Sequence, residues 1–374
     1  MKINQIQQDK VTIISTDKTW LEQAAVDQLK AVSRLEGVVK AIGLPDLHPG
    51  KTPVGAAILT EEVIYPHLIG NDIGCGMSLY MTSVDKRKAK LGRWIKRLEG
   101  IESLSEIPLP EDIVAHTSTL PNSSDIGTIG GGNHFAELQE LNEVLDSDEF
   151  NSLGIQKSNL LLLIHSGSRK LGAEILEAFS EKKEGYGGLA FGSQQGQLYL
   201  AKHEEALRWA SLNRDAIAYR ILNAIGINPF PQKVINCAHN ALSIKEVNSQ
   251  KLLIHRKGAA PGDAGAVVIP GSRGTLSYIV MPMEDTAASG YSLAHGAGRK
   301  WERSVCKAKL ADKYTKETIK TTKLKSRVIC HDTNLLYEEA PEAYKNIHTV
   351  IQDLLDAKLI KLVATLKPIL TYKA

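Results

Sequence analysis

The reactive side chains of this 374-residue chain are dispersed, and each sits in a corner built from small residues. Five of its eleven histidines share that setting: His48 in PDLHPG, His134 in GGGNHF, His165 in LIHSGS, His239 in CAHNA and His295 in AHGAG. Small neighbours let a bulky ligand approach the backbone. One histidine of this kind is usually a satisfied structural residue; five are harder to explain that way. No HExxH or CxxC gathers ligands locally. A site made from these residues therefore requires a fold that assembles distant segments.

The stretch GLPDLHPGKT, at 43–52, offers the main local alternative. Gly50, Lys51 and Thr52 match the end of a phosphate-binding P-loop, which needs Gly-x-x-x-x-Gly-Lys-Ser/Thr between a strand and a helix. The first glycine would fall at position 45, which is Pro45. Pro53 and a strand-like VGAAIL follow, and the preceding residues read as helix. Spacing and both flanks exclude a P-loop.

The patterning predicts a single α+β domain over 1–374, with mixed sheets flanked by helices and neither a P-loop nor a Rossmann fold. Helical spacing covers 18–40 (Leu21, Ala24, Ala25, Leu29, Val32, Leu35), 202–225 with Gly226 as its cap, and 350–366. Strand-length apolar runs occur at 54–59, at 63–69 around Pro66, at 160–164 and within 252–281. Residues 103–125 read as surface structure, and 127–134, GTIGGGNH, cannot be regular helix. Apolar residues make up 43% of the chain, enough for a sizeable core, yet no run nears the ~20 residues of a membrane span. The start, MKINQIQQDK, has no hydrophobic leader. Cys75, Cys237, Cys306 and Cys330 are scattered, which fits a reducing cytoplasm.

Within GNDIGCGM, Asp72 and Cys75 lie three residues apart between glycines and can face one ion. A turn with a capping aspartate and a buried cysteine is the alternative. Mixed Asp/Cys/His ligation suits Mn²⁺, Zn²⁺ or Co²⁺ better than an all-oxygen magnesium cage. Net charge is only +3, but 299–327 holds eleven Lys or Arg against three acids. That run is either a solvated basic face or an anion-binding surface.

DLHPGK, NDIGCGM, GGGNHFAE, HSGSR, AHN, HRKGA, PGSRGTLSYIV and AHGAGR occur in this order. Together they resemble the RtcB family of RNA ligases, which join 3′-phosphate and 5′-hydroxyl ends, over about residues 44–373. The resemblance implies an RtcB-type domain with its active site in a central cleft, acting as a monomer with GTP and two Mn²⁺ ions. His295 would accept GMP, and Asp46 would orient it. Asp72, Cys75, His134, His165 and His239 would hold the metals, with the Cys75 thiolate bridging. Glu137, Ser277 and Lys373 match nucleoside-pocket positions, and Asn133, Asn240 and Ser272 match groups around the phosphates. Gly296, Ala297 and Gly298 complete the GMP-binding motif. Arg169, Arg299 and Arg303 are candidates for RNA or GMP phosphates, and the basic 299–327 run becomes an RNA-contacting surface.

The substrate implied is RNA with a 3′-phosphate or 2′,3′-cyclic phosphate and a 5′-hydroxyl, in repair or in tRNA splicing. The chain is short around 83–125 and 172–200, and the HPGKTPVG loop is unusual, which bears on substrate choice. The competing readings are a non-catalytic RNA-end-binding protein and a metal-dependent cyclic phosphodiesterase.

Overall fold

A computed structural model describes residues 10–180 and 187–374. The start read as lacking a leader lies almost wholly outside them, as does part of the short 172–200 segment. The core of the molecule is a sheet of antiparallel neighbours in the order Val267–Ile269, Ser277–Pro282, Ile360–Lys373, Phe135–Val144, Asn159–Ser166, Gly76–Asp85 and Gln232–Ala238. Its first and last strands approach each other, so the sheet nearly closes on itself. Arg327–Cys330 pairs in parallel with Ile360–Lys373. The run at 160–164 is wholly buried, as a central strand covered on both faces must be.

A second sheet has the order Val11–Ile13, Val38–His48, Val54–Thr60, Gln250–Lys257 and Asn240–Val247. The strands Gln232–Ala238 and Asn240–Val247 follow one another in the chain but belong to different sheets. His239 sits between them, at the seam.

The helix Gln194–Ile225 packs across the central sheet and contacts Asn159–Ser166 and Gly76–Asp85. Ser193 accepts from the Gly196 N–H at 3.0 Å at its start, and Gly226, at φ +72°, closes it in the left-handed region. It begins eight residues before the expected 202, because 194–201 also packs.

Two expected helices are shorter than their patterns suggest. The first spans Gln23–Val32, and Val38–His48, expected as helix running into loop, is a strand. The GKT stretch thus lies between two strands, and a P-loop remains excluded because strand Val54–Thr60 follows it. The C-terminal helix stops at Asp356; Lys358, at φ +56°, turns the chain into the strand Ile360–Lys373. The apolar residues of 360–373 fit either period, and pairing with strands on both sides decides for the extended form. Of 63–69, only Val63–Ile64 is strand; Pro66–Leu68 forms a 3₁₀ turn.

Candidate metal centre and reaction cavity

Register places the candidate ligands along one edge of the central sheet. Gly76 pairs with Ser166 on one side and Ala238 on the other, and Phe135 pairs with His165. Cys75 and His134 therefore precede two strands at the same edge where His165 and His239 end two others. The chemistry dispersed in sequence converges because antiparallel neighbours begin and end together.

The Cys75 Sγ lies 3.3 Å from His134 Nε2 and 3.2 Å from His165 Nε2. His165 Nε2 lies 3.2 Å from His239 Nε2, and Asp72 Oδ2 is 3.1 Å from His134 Nε2. Cys75, His134, His165 and His239 are all buried. Cys75, His134 and His165 form a group able to hold a metal ion, and the surroundings suit one. His165 Nδ1 faces the Asn133 carbonyl at 3.1 Å, which fixes the ring so that Nε2 presents its lone pair inward. Burial and neighbouring imidazoles push His165 and His239 well below the usual histidine range, so both rings are neutral, the form in which an imidazole can accept a metal. Burial, then the Asp72 carboxylate, push the Cys75 thiol well up, so a cation is what would make it a thiolate. Burial alone would raise Asp72, but the hydrogen bond from His134 holds it below the usual carboxylate range.

Arg214, on the long helix, fixes this edge from beneath. It is 1% exposed and donates to the Gly74 and Ser166 carbonyls at 2.8 Å each, to Ser78 Oγ at 2.8 Å and to Asn236 Oδ1 at 2.9 Å. Gly74 and Ser166 each adjoin a candidate ligand, Cys75 and His165.

His295 follows the short strand Ser292–Ala294 and meets Asp46 from the second sheet. Its Nδ1 lies 2.6 Å from Asp46 Oδ2, and its backbone N–H donates to the same oxygen at 3.2 Å. Asp46 is fully buried; its Oδ1 has no hydrogen-bond partner. Gly298, at φ +74°, makes the approach possible, since a Cβ there would stand 2.5 Å from the Asp46 carbonyl oxygen. Lys345 donates to the Leu47 carbonyl at 2.6 Å and holds this strand end. The His295 ring lies 4.7 Å, centroid to centroid, from His239, so the two constellations are one site.

His295 opens on a cavity of 270 Å³. Asn133, Ser272, Gly296, Ala297, Gly298, Arg299, Arg303 and Lys373 line it, as does His48. Glu137 and Ser277 are buried outside the lining, bridged by Gln139, whose Nε2 donates to Glu137 Oε1 at 2.6 Å and Ser277 Oγ at 2.9 Å. Burial raises Glu137 to about 7, against hydrogen bonds from Thr371 and Gln139. Asn240 also lies outside the lining: its side chain ties the Asp72 carbonyl at 3.2 Å to the Gly258 N–H at 2.7 Å. Arg169 packs on Gly130, where a Cβ would stand 1.6 Å from its Nη1. Arg299 is engaged with Glu339 at 2.5 Å and the Glu338 carbonyl at 2.9 Å, whereas the Arg303 side chain is about half exposed.

The cavity has lining residues that the sequence did not single out: Phe135, Arg273, Glu339 and Tyr344. Phe135 adjoins His134 in GGGNHF, and Arg214 falls on the buried stripe with Ala210, Ile217 and Ile221; both carried a readable signal. Nothing local marks Glu339, a buried carboxylate that burial would raise but that Lys373 and Arg299 hold below its usual range.

These features define a fold that sets a buried Cys/His cluster able to hold a metal ion beside a carboxylate-held histidine facing a cation-lined cavity. The family described as tRNA-splicing ligase RtcB matches residues 28–110 and 93–374. An Escherichia coli protein named RNA-splicing ligase RtcB2 is 43% identical over 367 residues, covering 98% of this chain and 96% of that protein. Proteins named tRNA-splicing ligase RtcB from Nanoarchaeum equitans and Archaeoglobus fulgidus are each 28% identical, covering 97% and 93% of this chain and 95% and 91% of their own lengths. The chain belongs to the RtcB family.

Proposed function

We propose that this protein is a GTP-dependent RNA ligase that joins a 3′-phosphate, or a 2′,3′-cyclic phosphate after opening, to a 5′-hydroxyl. The observation that carries the reading is His295, held through Nδ1 by buried Asp46, beside the Cys75–His134–His165–His239 cluster and open to the cavity.

With Nδ1 occupied, Nε2 is the free nucleophile. It would form a bond to the α-phosphorus of GTP as the bond to the β-phosphate bridge breaks and pyrophosphate leaves. An RNA 3′-phosphate oxygen would then take the GMP, breaking the N–P bond and leaving His295 free. Attack by the 5′-hydroxyl on that 3′-phosphate would expel GMP and close the phosphodiester. Asp46 keeps the ring oriented and stabilises the positive charge it develops. Asp72, Cys75, His134, His165 and His239 would hold Mn²⁺, two ions on this reading, which when bound would neutralise phosphate charge and orient the leaving group. Phe135 offers an aromatic face for the base, and Lys373, Arg299 and Arg303 offer positive charge. Glu137 supplies a carboxylate for the guanine N1 and N2 donors if it turns from Gln139.

Relatives named for RNA splicing or tRNA splicing support RNA as the substrate. The test is product analysis of an RNA with a 2′,3′-cyclic phosphate and a partner strand with a 5′-hydroxyl, in GTP and Mn²⁺. A ligated strand supports the proposal. A 3′-phosphate product with no ligation would show a phosphodiesterase, and an unchanged RNA that is bound would show an end-binding protein.

A further inference from the structure

We propose that the helix Leu91–Glu99 and the 299–327 segment form one track for the RNA backbone leading away from the reacting end. The inference rests on the ligase reading above and adds where the body of the substrate lies.

Residues 86–97 contain seven Lys or Arg and no acid, and 299–327 contain eleven against three. In a chain of net charge +3, everything else is therefore net −12. Such a separation draws a polyanion to one region and repels it from the rest. The two basic segments are far apart in sequence but meet in the fold. Arg327 pairs with Glu99 at 3.2 Å, and His331 Nε2 lies 3.0 Å from the Ile101 carbonyl.

The helix has already used its apolar side. Trp94 and Leu98 are buried, with Leu91 and Ile95 in the same cluster. No apolar face is left for a membrane surface. Its outward side shows Lys90, Arg93 and Lys96 exposed, and no carboxylate pairs with them among the described residues. Charge complementarity alone would also admit an acidic protein. Continuity with the cavity favours RNA. Arg273 lines both the reaction cavity and a second hollow of 420 Å³ that Thr321 and Lys323 also line. Arg273 Nε and Nη1 are buried without hydrogen-bond partners. Thr321 bridges through its backbone to Arg327, which reaches the helix. Arg303, Arg273 and Lys323 thus share adjoining hollows, and Arg327, paired with Glu99 and Glu317, joins that segment to the helix that bears Lys96, an arrangement suited to sequence-tolerant backbone contacts.

The test uses the full chain carrying both Arg93→Glu and Lys96→Glu, beside the wild type and a charge-preserving Arg93→Lys, Lys96→Arg pair. Affinity is measured across salt for 3′-phosphate RNA strands of about five and about thirty nucleotides, below and above a typical single-strand footprint. The proposal expects the longer RNA to bind the charge-reversed protein at least about tenfold more weakly. Its salt slope should be shallower by about 1.4, because two RNA phosphates are no longer neutralised by protein cations. Short-strand binding and GMP attachment should be unchanged, and the charge-preserving pair should behave as wild type. Unchanged affinity and slope for the longer RNA would overturn the proposal, as would equal weakening on both lengths. If the wild type attached no GMP, the ligase reading would fail, and the length-dependent binding would still decide the track.

Discussion

Asp46 and His295, 249 positions apart in sequence, meet through a 2.6 Å contact between Oδ2 and Nδ1 that joins the second sheet to the end of the short strand Ser292–Ala294. That contact leaves one imidazole nitrogen to react. Replacing Asp46 with Asn offers Nδ1 a neutral amide that neither stabilises imidazolium nor selects the tautomer. Histidine guanylylation by Asp46→Asn should fall by about two to four orders of magnitude. Quenched-flow measurement of GMP attachment checks this, and a loss under tenfold would remove Asp46 from its role.

Metal binding should depend on Cys75 more than on any group outside the cluster. Cys75→Ala removes the donor beside both His134 and His165. Mn²⁺ affinity should fall by more than the roughly 10–100-fold typical of losing an outer-shell partner. In the wild type, binding must displace the thiol proton that burial retains. Affinity should therefore rise with pH, by up to about tenfold per unit. Calorimetry at several pH values reads both effects.

Arg214 should matter to stability and to the metal together. Arg214→Met leaves the carbonyls of Gly74 and Ser166 without their donor inside the core. Each unsatisfied group costs about 1–3 kcal/mol, so a loss of roughly 3–5 kcal/mol is expected in chemical denaturation. Metal affinity should fall as well, because Cys75 and His165 adjoin the released carbonyls.

Glu137 gives a pH signature. Burial raises it from 4.5 to about 7, so between those values the folded chain binds more protons than the unfolded one. Its contribution to stability is therefore greatest below about pH 4.5 and declines as pH rises to 7, by about 3 kcal/mol in all. Glu137→Gln lacks that decline. Thermal melting of the variant should gain on the wild type from pH 5 to pH 8; a constant difference would contradict the account.

The residues of the candidate site could be picked out in the sequence because their neighbours are glycine and asparagine, whatever the elements around them. GGGNH, HSGS and CAHN each stand where a strand of the central sheet starts or stops, and AHGAG, after the separate short strand Ser292–Ala294, meets them through the His239–His295 contact. The ends of the fold were harder to read. Residues 360–373 alternate loosely enough to suit a helix, and only pairing on both sides makes them a strand. Val38–His48 was obscured by the Pro and Gly residues at its end. The engagement of Arg299 with Glu339 depends on contacts forty residues apart, which no local spacing reveals.

Covalent transfer of GMP to His295 is the step on which the proposed mechanism turns. The most direct measurement incubates the protein with Mn²⁺ and GTP labelled at the α-phosphate, then isolates it under denaturing, non-acidic conditions. The account predicts a labelled protein whose adduct is acid-labile, maps to His295 and is absent from His295→Ala. Label that persists in His295→Ala, or no label on a wild type that still ligates RNA, would contradict it.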